Sequence, residues 1–185
     1  MVKQFVYFFL LLSMYSCQTA IHKDAAIQKK EYFDLKDFFN QEIARLEKSN
    51  DSFKKTVKIG DKSETQTPKE VDWKQELQIF VESDINKTAW FDKYQKDTTE
   101  NKITYTAQDD NLKIRSIHLH FANPPYTAQF MEEVEIINHT ENVLYESAET
   151  LKYWYRQHNW HIVRTQKVAT GGTETVEILG GFEGF

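Results

Sequence analysis

The spacing of apolar residues changes character near residue 101, and that change limits the fold more than any other feature. Before it, Leu35, Phe38, Phe39, Ile43 and Leu46 recur at helical intervals, with Lys36, Asp37, Glu42 and Glu47 placed mostly elsewhere. This predicts a helix from about residue 34 to about residue 50. Residues 58–69 (KIGDKSETQTPK) read as a polar loop. A second helix is expected from near Pro68, with Trp73, Leu77, Phe80, Val81 and Ile85 on one face, and Trp90, Phe91 and Tyr94 extend it after a break near Asn86. Beyond residue 101 the period becomes two, and β-branched and aromatic residues rise. Ile103, Tyr105 and Ala107 alternate, then Leu112 and Ile114 share one parity while Ile117, Leu119 and Phe121 share the other. That phase switch places a bulge near Arg115 and Ser116. Val134 and Ile136 carry a further strand, His139 to Asn142 read as a hairpin loop, and strands follow around 143–155, 160–168 and 173–179. The expected class is α+β: two N-terminal helices within 31–96, then an antiparallel meander within 101–182 packed on them.

A chain of 185 residues with 40% apolar and 14% aromatic residues is large enough to bury one core. Its formal charge of -5 weighs against a nucleic-acid partner, which requires clustered Lys and Arg. The single cysteine, Cys17, excludes an internal disulfide and a cysteine-cluster metal site.

Cys17 follows Lys3, an unbroken apolar run at residues 5–12 (FVYFFLLL), and the small residues Ser13 and Ser16. The run is too short to span a bilayer, which takes about 20 residues, and suits the core of a signal peptide. This layout resembles the signal peptide of bacterial lipoproteins. The resemblance implies cleavage before Cys17, a diacylglyceryl group on its thiol and fatty acyl chains such as palmitate. It divides the chain into a signal peptide (1–16), a flexible tether (17–30) and a single α+β domain (31–185). Gln18, where family members retained in the inner membrane carry Asp, points to the periplasmic face of an outer membrane. The rival is a secreted eukaryotic protein, since Asn86-Lys87-Thr88 and Asn138-His139-Thr140 match the glycosylation acceptor pattern.

Three groups could carry chemistry. His118 and His120 lie two apart, so on a strand both side chains leave one face, as half of a zinc site would require. A third ligand would come from His139, His158, His161 or a carboxylate such as Glu132; the competing reading is a solvated polar stripe. Tyr153, Trp154, Arg156 and Trp160 form the densest aromatic stretch, fit either for a glycan or protein partner or for cross-strand pairing. Glu132, Glu133 and Glu135 cluster without an identified acid–base partner. The chain carries no nucleophile elbow, phosphate loop or zinc-protease motif. The expectation is a membrane-anchored envelope lipoprotein acting as a non-enzymatic binding or structural module, without cofactor. The alternative is a metal-binding protein or metal-dependent hydrolase using His118 and His120.

Overall fold

A computed structural model of the chain describes residues 30–182. The signal peptide, Cys17 and nearly all of the tether lie outside the described residues. Helix α1 (Leu35–Leu46) opens at Asp34, whose carboxylate accepts from the Asp37 N–H at 3.0 Å. Strands β1 (Phe53–Ile59) and β2 (Lys62–Gln66) follow, then helix α2 (Trp73–Glu82), capped in the same way by Asp72. Each cap satisfies an amide that the first turn leaves without a partner. The remaining strands are β3 (Tyr94–Thr98), β4 (Lys102–Ala107), β5 (Ile114–Phe121), β6 (Met131–Glu141), β7 (Tyr145–Trp154), β8 (Asn159–Val168) and β9 (Thr173–Phe182). All nine form one antiparallel sheet in the order β2-β1-β9-β8-β7-β6-β5-β4-β3. From β3 to β9 the sheet is a meander. The β1–β2 hairpin then joins beyond β9, with Phe53 opposite Phe182 and Val57 opposite Ile178.

The α+β class is as expected, but the helices do not both precede the sheet. The β1–β2 hairpin lies between them: β2 and the end of β1 fall in residues 58–69, which read as a loop, the rest of β1 lies just before that stretch, and β3 begins where a helical extension was expected. The cause is visible in the side chains. All five residues of β2 are exposed, and β3 buries only Tyr94, so neither edge strand shows the half-buried alternation that marks a strand. The second helix starts at Trp73, five residues after Pro68, and the first ends at Leu46. The strand expected to stop before His139 continues to Glu141. The bulge is where the phase switch put it: pairing with β6 shifts between Ile114 and Ser116.

The helices cover one face of the sheet. Leu35, Phe38, Phe39, Ile43 and Leu46 of α1 and Trp73, Leu77 and Phe80 of α2 are buried. They meet Ile117, Leu119, Val134, Ile136, Leu151, Tyr153, Trp160 and Ile162 from the strands. Phe39 stacks on Phe80 with ring centres 4.9 Å apart and meets Tyr153 edge-on at 5.2 Å. Burying each such ring contributes about 1.5–3 kcal/mol. Trp160 stacks on Phe53 at 5.3 Å and lies across β9 at Gly180, where any Cβ would overlap its indole. Gly180 and Gly181 therefore belong to the end of β9, where the missing side chain of Gly180 makes room for Trp160.

Candidate functional site

The sheet face turned away from the helices holds the two histidines. His118 and His120 stand opposite Glu135 and Glu133 of β6. His118 lies within 3.3 Å of the Thr104 hydroxyl and 3.2 Å of the Ser116 hydroxyl. Burial and then nearby Lys102 hold its imidazole below the ordinary value. Glu135 pairs with Lys152 at 2.9 Å, the Trp154 indole donates to Glu133 at 2.8 Å, and His161 contacts Glu177 at 2.8 Å. Among the described residues, no three His, Cys, Asp or Glu side chains converge as metal ligands. His139 and His158 lie elsewhere, beside Glu146 and Glu42. Glu132 points toward Arg156, 4.0 Å away.

The aromatic stretch divides between the two faces. Tyr153 and Trp160 are 0% exposed and belong to the core, so neither ring reaches a surface where a partner could dock. Trp154 lies on the outer face and Arg156 in the exposed turn after β7.

Two polar groups that the sequence reading did not single out lie inside the helix–sheet interface. The first surrounds Glu42, which is 2% exposed on the buried face of α1. Its Oε1 accepts from the Tyr153 hydroxyl, and Arg45 pairs with both carboxylate oxygens. The His158 Nδ1 lies 3.0 Å from Oε1. Arg45 also sits against both nitrogens of the His158 ring, with Nη1 2.8 Å from Nε2. A guanidinium can only donate, so the arrangement fits a neutral ring that gives its Nδ1 proton to Glu42. Burial, and then Arg45, hold His158 below its ordinary pKa of 6.5. Burial, followed by the Glu42 charge, raises the Tyr153 hydroxyl far above its ordinary value, so it remains a donor. His158 reaches this position from a turn in which its φ is +56°, a left-handed conformation unusual for a residue with a side chain.

The second group surrounds Asn138, on β6, which is 3% exposed. Its Nδ2 donates to Glu149 of β7 at 2.9 Å, and Arg164 of β8 holds Glu149 at 2.8 Å. The Asn138 Oδ1 is shielded from solvent and has no hydrogen-bond partner among the described residues. Asn138 lies between two hollows. One, about 210 Å³, is lined by Glu149, Arg164, Ser147 and Tyr145. The other, a half-open cleft of about 520 Å³, lies among Lys36 of α1, Ile79, Val81 and Glu82 at the end of α2, Lys87 and Trp90 in the loop beyond, and Lys113 and Ile114. Asn138 was read in sequence only as a glycosylation acceptor; its burial against Glu149 leaves no room for a glycan there.

Both groups were signalled by phase. Glu42 falls on the Phe38–Phe39–Leu46 stripe, and Asn138, Glu149 and Arg164 keep the inward parity of Ile136, Leu151 and Ile162. A polar residue at an inward position must find a partner or a function.

No family model, curated protein or solved structure matches this chain.

Proposed function

We propose that the chain is a membrane-anchored envelope lipoprotein, tethered through Cys17, whose domain is a non-enzymatic binding module with its site in the cleft beside Asn138. One observation carries the binding reading: a half-open cleft between the helix ends and the sheet, with Lys36, Lys87 and Lys113 and the apolar Ile79, Val81 and Ile114 among its lining. The cleft volume lies within the range of about 300–1,000 Å³ typical of small-molecule sites. The tether would let the domain stand clear of the lipid, and among the described residues no helix is long and apolar enough to cross a membrane.

The test is native against denaturing mass spectrometry on full-length protein recovered from its own membrane. Acyl mass on a chain beginning at Cys17 supports the anchor. A second mass lost on denaturation supports the bound ligand, and its absence counts against the module. A separate reading, metal held by His118 and His120, rests on their shared face and their pairing with Glu135 and Glu133. It requires stoichiometric zinc that is lost in the H118A/H120A variant.

A further inference from the structure

The most exposed large apolar side chains among the described residues are neighbours. Val143 and Leu144, in the turn between β6 and β7, are 91% and 70% exposed. Ala169, in the turn between β8 and β9, donates its N–H to the Leu144 carbonyl at 2.9 Å, so the two turns form one tip. No charged residue falls within 142–145 (NVLY) or 168–173 (VATGGT), although 28% of the chain is charged. Charge resumes one register step behind the tip, where Glu141, Glu146 and Lys167 stand in a row across β6, β7 and β8. The tip is also tied down. Asn142 Oδ1 accepts from the Leu144 and Tyr145 amides at 2.8 and 3.1 Å, and the Val168 and Gly171 amides are bonded within their own turn at 3.2 and 3.0 Å. Backbone donors so occupied can leave water without losing a hydrogen bond.

We infer that this tip dips into the surface of a lipid bilayer, with Val143 and Leu144 among the outer acyl chains and the row of Glu141, Glu146 and Lys167 at the headgroups. This rests on the reading of the chain as anchored through Cys17. A protruding aliphatic pair offers little area to a protein partner, whose contact centres favour Trp, Tyr and Arg over Val and Leu. Lipid accepts such a tip, since immersing it desolvates no charge. The row behind it carries two acids and one base, so the surface suited to it is zwitterionic and not anionic. Two side chains alone bind weakly. Residues 17–29, however, reach at most about 45 Å even when fully extended, which keeps the domain beside the bilayer at high effective concentration. The tether leaves the domain free to stand off the lipid; the tip selects one orientation, with the β6–β7 and β8–β9 turns facing the membrane.

Spin labelling tests this on full-length protein recovered from its own membrane and placed in phosphatidylcholine vesicles. A nitroxide is attached at Thr170→Cys, in the tip but outside the aliphatic pair, or at Gln157→Cys, in the turn at the opposite end of β7 and β8; both positions are exposed. The readout is the ratio of collisions with oxygen, which enters lipid, to collisions with a water-soluble nickel chelate. The ratio is expected to rise for the Thr170 label and to keep its aqueous value for the Gln157 label. Val143→Ser with Leu144→Ser is expected to shift the tip's balance toward water by about tenfold for each side chain. Both residues lie outside the core, so the fold persists, which a melting curve verifies. Tip and control labels equally open to the nickel chelate, on a chain whose mass shows the acyl group, overturn the inference and leave the anchor standing. A ratio unmoved by the double substitution also overturns it. A tip label shielded from both probes means that a second copy or another protein covers the tip, and overturns it as well. A chain without acyl mass overturns the anchor and the inference with it.

Discussion

The two ends of the helix–sheet interface treat their buried polar groups in opposite ways. At one end the last turns of α1 bring Glu42 against Tyr153 and His158, and its carboxylate is held by side chains from helix, strand and turn. At the other end, where α1 begins and α2 finishes, the interface opens into a cleft beside Asn138, whose buried Oδ1 has no partner among the described residues. The same strands serve both ends. Glu149 and Tyr153 lie four residues apart on β7, about 13 Å at the usual strand rise. One end therefore acts as a latch that closes the domain, and the other as an opening that the fold leaves incomplete. Each end keeps one buried polar atom without a hydrogen-bond partner among the described residues, Asn138 Oδ1 at the open end and Trp160 Nε1 at the closed one, so what distinguishes the two ends is the cleft.

Substitutions at the closed end should cost most. Trp160→Ala removes the ring that bridges Phe53 and Trp73 across Gly180 and is expected to lower unfolding free energy by about 3–5 kcal/mol in denaturant titrations. Tyr153→Phe leaves Glu42 short of a donor and should cost about 1–3 kcal/mol. A double-mutant cycle with Glu42→Gln should show coupling between the two, whereas additive effects would contradict the latch.

A pH series probes the same end. The folded-state pKa of His158 lies below its unfolded value, so below about pH 6.5 the unfolded chain binds the proton more readily. Stability from this group is full above that pH and is lost as pH falls toward the depressed pKa. His118, lowered in the same sense by burial, adds to the slope. His158→Gln should flatten the acid limb of a melting-temperature profile; an unchanged profile would show that His158 does not link folding to pH. Smallest of all, Lys152→Ala on the outer face breaks its pair with Glu135 and should change stability by no more than about 1 kcal/mol, because the pair is partly solvated.

How much of this was legible in the sequence follows from burial. The stripe on α1 and the alternation along β5 to β8 were readable because each element buries one face and exposes the other. The edge strand β2 was not, since KSETQ has no buried side to impose a period. β1 was missed although Phe53, Val57 and Ile59 alternate, because Lys55 interrupts them at an inward position and pairs with Glu76 of α2 at 2.8 Å. The aromatic stretch was legible as a stretch but not as two faces: Tyr153 and Trp160 form a cross-strand pair in the core, and Trp154 lies on the other face of the same strand. Glu42 and Asn138 sat in plain phase with apolar neighbours, yet a hydropathy pattern treats a charged or amide side chain as outward. What the pattern lacks is the distant partner: Arg45 is only three residues from Glu42 on the same helix, but Tyr153, His158 and Glu149 become partners only when the sheet is assembled.

The most direct test of the contrast between the two ends is a high-resolution crystal structure of the full-length protein purified from its own membrane. The expected result is a small molecule in the cleft among Lys36, Lys87 and Lys113, while Glu42 remains enclosed by Tyr153, Arg45 and His158. Nothing but solvent in the cleft would contradict it.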